Sequence, residues 1–209
     1  MAETVAAPTT KERIITATLD IIASEGFQNV TVRKIATQAH VNIAAAHYHF
    51  GSKDAVIERA LQYVTTQMIE VFTILTDQQQ PADIRLRSFI QAYADTVYKY
   101  PDIVKYMIDQ RIHHTNCQVE YGAFLERQGI VLVSQTLKEL NPGSDAQLHL
   151  MKTLQILSCI SFPILLAGQI RTIAGLDLFD QETRAHFITM LIDSVLEPGP
   201  FSVKPDLSS

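Results

Sequence analysis

Between Val30 and Lys53 the chain reads VTVRKIATQAHVNIAAAHYHFGSK, and this stretch constrains the fold most, because it encodes two short helices joined by a tight turn. Thr31 supplies the first start signal, since a threonine hydroxyl can accept from the free backbone N–H groups of the turn that follows. Val32, Ile35, Ala36 and Ala39 then recur at helical spacing, a face that must be buried. The turn runs through Ala39, His40 and Val41. Asn42 offers a second cap and opens a helix of small residues (Ile43, Ala44, Ala45, Ala46) ending in His47, Tyr48, His49 and Phe50. Small residues let a helix backbone approach a base edge closely, and Arg33, Lys34, Tyr48, His49 and Lys53 around it suit phosphate. The expected DNA-contacting set is Thr31, Arg33, Lys34, Asn42, Ile43, Ala44, Ala45, His47, Tyr48, His49 and Lys53.

At these residues the chain resembles the helix-turn-helix of the tetracycline-repressor (TetR) family of bacterial transcription regulators. The family's pattern is met by Thr31, Ile35, Ala36, Val41, Asn42, Tyr48, His49, Phe50, Ser52, Lys53 and Asp54. Three positions depart from it: the turn glycine is His40, the usual leucine of the second helix is Ala46, and the usual first aromatic is His47. A non-glycine residue tolerates positive φ poorly, although histidine is among the more tolerant, so His40 predicts local strain. The resemblance implies an all-α chain that binds a double-stranded DNA operator as a homodimer and answers to a small-molecule effector. It favours a repressor over an activator, and it implies no cofactor.

The formal net charge of −5 excludes wholesale affinity for nucleic acid, so the distribution of charge matters. Residues 11–53 hold five basic against three acidic side chains, and the remainder is acidic. This fits a small DNA-reading module joined to a larger body. With 47% hydrophobic residues, 209 residues can bury a full core in one domain or two. No uninterrupted apolar run reaches about 18 residues and the first ten residues do not read as a leader, so the expectation is a cytoplasmic protein with no membrane partner. Cys117 and Cys159 are too few for a disulfide framework.

Helices are expected over 10–25, capped by Thr10 and stopped by Gly26, and over 53–76, capped by Ser52. Residues up to Thr10 are expected to be a flexible lead-in. Phe27, Val30, Ile35, Val41 and Phe50 are the natural fillers of a small N-terminal core. After the loop Asp77–Pro81, helical patterns cover about 82–99, 102–114, 118–140, 145–174 and 180–196, with Asn141-Pro142-Gly143 a clear stop. The fold is thus expected to be an N-terminal three-helix helix-turn-helix DNA-binding domain over 1–53 plus a C-terminal helical ligand-binding and dimerisation domain over 54–209. By the resemblance, the helix beginning at Lys53 links the two as a lever.

Leu154–Gly168 (LQILSCISFPILLAG) is almost free of charge all the way round, so it needs burial on every side, and Pro163 should bend it. The family pairs its two last helices with those of a second subunit. Carried over, this gives Ile156, Ile160, Leu165, Phe187, Met190 and Leu191 as interface residues. The family also builds its effector pocket on the helices bearing Met68, Phe72, Phe89, Tyr93, Tyr106, Met107, His113, Tyr121 and Phe124, and sparse tyrosine hydroxyls in an apolar wall favour an apolar or aromatic ligand. The competing reading is a metal- or redox-responsive site at His113, Cys117 and Glu120, which follow i, i+4, i+7 spacing. No second cluster completes a coordination sphere, so no metal is expected. Neither a phosphate loop, a Gly-x-Ser-x-Gly elbow nor a His-Glu-x-x-His occurs, so an enzyme is not expected.

Overall fold

The structure, a computed structural model, describes residues 7–112 and 120–197. The fold is all-helical, with no strand among the described residues. The chain divides into two compact units, Met1–Gln67 with Tyr100–Glu120, and Met68–Lys99 with Tyr121–Ser209.

The first unit contains α1 (Thr10–Glu25), α2 (Val32–Gln38), α3 (Ile43–Phe50), most of α4 (Lys53–Glu70) and α6 (Pro101–Ile112). The expected cap of α1 is displaced by one residue. Thr9 is the N-cap, accepting from Glu12 N while its own N–H donates to Glu12 Oε2 at 2.7 Å, and these bonds hold the Glu12 carboxyl below its ordinary range. Thr10 is therefore helical, and the lead-in stops short of it; residues 1–6 lie outside the described residues. Gly26, at φ +84°, ends α1 as expected, and a 3₁₀ turn, Phe27–Asn29, leads to α2.

Ile14, Ile21, Ile22, Val30 and Ile35 form a closed apolar centre, each at most 1% exposed. Of the other expected fillers, Phe27, Val41 and Phe50 are half-buried. Phe27 lies with its ring centroid 4.6 Å from that of Tyr106, because α6 packs on α1.

The second unit begins where α4 passes into 3₁₀ geometry over Val71–Thr76, in place of the continuous helix expected to 76. It continues with α5 (Ala82–Lys99), α7 (Glu120–Phe124), a π-helical segment (Leu125–Gly129), α8 (Ile130–Leu140), α9 (Ala146–Leu165), α10 (Ala167–Ala174) and α11 (Gln181–Leu196). The expected single helix over 118–140 is thus interrupted by five residues of π geometry. At Gly129 a Cβ would lie 2.9 Å from Leu125 Cδ2 and 3.2 Å from Phe72 Cε1, so a larger residue there would require those side chains to shift. The expected helix over 145–174 is two helices. Pro163 has no N–H to extend the ladder, and Leu166 bonds back to the Pro163 carbonyl three residues earlier at 3.2 Å before leaving helical angles (φ −106°, ψ 9°). Gly175 then closes α10 in the left-handed conformation at φ +64°.

The core of this unit is aromatic. Phe72 stands between Phe89, Tyr93 and Phe124 at ring-centroid distances of 4.8, 5.9 and 5.0 Å. Such pairs add about 0.5–1.5 kcal/mol each to the burial of the rings. Polar side chains tie the surrounding helices together. The buried Arg85 guanidinium donates to the Leu75 carbonyl at 2.6 Å and the Gln80 carbonyl at 3.1 Å, and pairs with Glu139 of α8. Lys152 of α9 donates to the carbonyls of Val195 at 2.6 Å and Glu197 at 3.1 Å, supplying a cation where the C-terminal carbonyls of α11 lack partners.

With 20 residues and a mean hydropathy of 1.4 in its most apolar window, α9 is long and apolar enough to cross a membrane. It nevertheless packs on α5, α8 and α11 and buries His149 and Lys152.

Candidate nucleic-acid interface

Each helix of the 30–53 stretch is started by a side chain and stopped by a backbone device. Thr31 Oγ1 accepts from Lys34 N at 3.2 Å, and Asn42 Oδ1 accepts from Ala44 N at 2.9 Å. Each cap uses one lone pair of the Thr31 hydroxyl and the Asn42 amide oxygen. The turn between the helices closes with Val41 N donating to Ala36 O at 2.9 Å and His40 N to Thr37 O at 3.2 Å, the paired bonds of a Schellman stop. That geometry requires a residue at positive φ, and His40 supplies it at +53°. The strain expected of a histidine at this position is therefore present.

Arg13, counted in the sequence only as part of a basic surplus, meets this strained turn. Its guanidinium donates to the carbonyls of Ala39 and, at 2.8 Å, His40. Both bonds come from Nη2, whose two N–H groups can hold two neighbouring carbonyls at once, and these carbonyls lie at the negative C-terminal end of α2. Nothing in the spacing of the sequence pairs residue 13 with residue 40. Lys34 is likewise engaged, forming an ion pair with Glu25 in which both side chains remain close to half exposed. Such a pair is worth at most about 1 kcal/mol and can reopen.

The exposed strip of α3 consists of Ile43, Ala44, His47 and Tyr48, with Tyr48 86% exposed. Ala45 and His49 are half-buried, and Ala46, where the family carries leucine, is 1% exposed and belongs to the core. Thr31, Arg33 and Asn42 are exposed, and Lys53 is half-buried at the start of α4, where Ser52 Oγ accepts from Ala55 N at 3.2 Å. Gly51 ends α3 at φ +76°, its N–H bonded to His47 O at 2.8 Å.

The residues expected to form one effector pocket fall in both units. Tyr106 and Met107 belong to the first. Met68, Phe72, Phe89, Tyr93, Tyr121 and Phe124 belong to the second, where Tyr121 Oη donates to Tyr93 Oη at 2.8 Å and Tyr93 Oη lies 3.2 Å from Ser161 Oγ. Burial pushes both tyrosine hydroxyls above their ordinary range, so this chain of hydroxyls is uncharged. Ser161 was not anticipated from the sequence. His113 and Cys117 lie outside the described residues, as does the side chain of Glu120.

Of the expected interface residues, three are covered within the chain itself. Ile156 and Ile160 are fully buried and Leu191 is 5% exposed, because the packing of α9 on α5, α8 and α11 consumes that face. Leu165 and Phe187 are half-buried, and Met190 is exposed. The apolar surface left on α9 is Leu150, Met151, Leu154 and Phe162.

Comparison with known proteins bears on both units. The sequence profile for bacterial regulatory proteins of the tetR family matches residues 14–60. The HTH-type transcriptional repressor NicS of Pseudomonas putida is 22% identical over 104 residues, 50% of this chain and 49% of that protein. An uncharacterized HTH-type transcriptional regulator in the dhlA 5' region of Xanthobacter autotrophicus is 32% identical over 78 residues, 35% of this chain and 39% of its own length. The chain therefore spans half or less of the length of these curated relatives. A TetR transcriptional regulator from Legionella pneumophila has the same fold, with a TM-score of 0.62 and 21% identity over 92% of this chain and 100% of that one. The matched residues 14–60 contain the two caps, the turn and the exposed strip of α3, and over these residues the chain carries the helix-turn-helix of the tetR family of bacterial regulatory proteins.

Proposed function

We propose that the chain is a cytoplasmic, homodimeric regulator that binds a palindromic double-stranded DNA operator through α3 and releases it when a small molecule binds the C-terminal helices. The exposed strip Ile43, Ala44, His47 and Tyr48 carries this reading, since it presents two small or flat contacts and two polar tips on a helix capped at both ends. Repression is the sign of regulation that the name of the Pseudomonas putida relative suggests. The functional division falls at residue 53, with residues 1–53 reading DNA and residues 54–209 sensing and dimerising. The effector is assigned to the aromatic cluster around Phe72 and Tyr93, and the partner subunit to the exposed apolar side of α9 with Met190 of α11.

Duplex binding measured against salt tests the DNA reading. Lys53→Ala should weaken binding to all sequences alike and reduce the salt slope by about one unit, as for one lost phosphate contact. An unchanged slope would remove Lys53 from the interface. Leu154→Glu should give folded monomers with lowered operator affinity, since a two-fold operator is held by two recognition helices at once. Sedimentation of this variant as a normal dimer would move the interface elsewhere.

A further inference from the structure

His47 is exposed on α3, and its ring is fixed by one bond: Nδ1 lies 3.0 Å from the carbonyl oxygen of Gly51. A carbonyl oxygen only accepts, so Nδ1 is the donor and carries the proton. In neutral imidazole the other nitrogen, Nε2, is then a bare acceptor. Gly51 is tied to residue 47 at both backbone ends, since its N–H also donates to His47 O at 2.8 Å. The bond that sets the tautomer is thus anchored in the stop of α3 itself.

On the strip the other side-chain polar atom is the Tyr48 hydroxyl, which can donate as well as accept, so Nε2 is the strip's one acceptor with no proton of its own to give. Ile43 and Ala44, four and three residues earlier on the same face, carry no polar side-chain atom. Asn42 Oδ1 is engaged in capping Ala44 N. In the major groove the base-edge donors are the exocyclic amino groups, N6 of adenine and N4 of cytosine, whereas guanine N7 and O6 and thymine O4 all accept.

We propose that His47 determines operator specificity by presenting Nε2 as a hydrogen-bond acceptor to an exocyclic amino group, so that in each half-site one base pair is fixed in identity and orientation by the adenine N6 or cytosine N4 amino group it offers. This rests on the reading that α3 enters the major groove. A phosphate oxygen offers no proton to a bare Nε2, so the neutral side chain reads a base and does not anchor the backbone.

The test is selection of duplexes from a randomised library by the full-length protein at about pH 8, where histidine side chains are ordinarily neutral. The wild type should enrich one particular base pair, in one orientation, at a fixed position per half-site, and His47→Ala should lose preference at that position alone. Replacing the adenine of that pair by purine, or its cytosine by 2-pyrimidinone, removes only the amino group. It should weaken wild-type binding roughly five- to tenfold, as for one lost hydrogen bond, and leave His47→Ala unchanged. Wild-type binding undiminished when the amino group is removed from either base of the affected pair, an identical site for both proteins, or a salt slope lowered by about one unit in His47→Ala would each overturn the assignment. Failure of the wild type to enrich any duplex would overturn the DNA-binding reading together with this one, whereas an enriched site indifferent to His47 would overturn this one alone. The purine experiment uses the wild type, so the test does not depend on the variant folding.

Discussion

In the first unit the polar side chains that fix the backbone are near neighbours of what they bind, Thr9, Thr31, Asn42 and Ser52 each reaching two or three residues along the chain. In the second, Arg85 reaches a carbonyl 10 residues away and an acid 54 away, and Lys152 reaches carbonyls 43 and 45 away. The difference separates two ways of specifying a helical fold. Local caps say where each helix begins and ends, at about 1 kcal/mol each. Long-range cations say which helices lie together, and their loss leaves buried groups unpaired. Among the described residues the longest exception in the first unit is the reach of Arg13 across 27 residues to the turn at His40, with Gln38 reaching Asp20 across 18.

The contrast can be broken most severely at Phe72, which is 0% exposed and meets three other aromatic rings. Phe72→Ala should cost about 3–5 kcal/mol in urea unfolding, through lost burial and the cavity left among rings that cannot collapse. A loss under about 1 kcal/mol would mean that the cluster is not the centre of this unit.

Arg85→Ala should cost about 2–3 kcal/mol in the same measurement, because the Leu75 carbonyl is orphaned while the 44% exposed Glu139 returns to water. If Arg85→Ala cost no more than Thr31→Ala, the distinction between local and long-range polar groups would collapse.

Arg13→Ala tests the exception. It should cost about 1–2 kcal/mol by removing both turn contacts, and the cost should shrink when His40 is also replaced by glycine, which adopts positive φ freely. Additive effects in this double-mutant cycle would show that the Arg13 contacts and the left-handed turn are energetically independent.

The smallest effect belongs to Tyr98, whose hydroxyl is buried without a hydrogen-bond partner and is pushed by burial up to about 12. A tyrosine in the unfolded chain ionises near 10, so between those values the folded state keeps a proton that the unfolded state has released. Stability should therefore fall as pH rises through this window, and the fall should be shallower in Tyr98→Phe. Near neutral pH the same variant should be unchanged or more stable by up to about 1 kcal/mol, since it deletes an unpaired hydroxyl. A steeper alkaline loss in the variant would contradict the burial of this group.

Much of the first unit could be read from spacing. Thr31, Asn42 and Ser52 cap the helices that their positions mark, and Gly26 stops α1. The readings that moved are those that depend on which face of a helix finds a neighbour. Ile156 and Ile160 have the composition of an interface, yet α9 turns them inward and leaves Leu150, Met151 and Leu154 outside. A helix apolar on every side gives its periodicity no preferred face, so the side that is covered within the chain cannot be chosen from the pattern.

By itself, the sequence determined the all-helical class and the capped helix-turn-helix with its strained His40, because these rest on bonds between residues a few positions apart. Only the tertiary structure decided that Arg13 clamps the turn, that Gly129 makes room for Phe72 beside a π-helical segment, and that Gly51 fixes the His47 tautomer. Those contacts depend on side-chain rotamers and on the approach of one helix to another, and spacing along the chain carries no record of either.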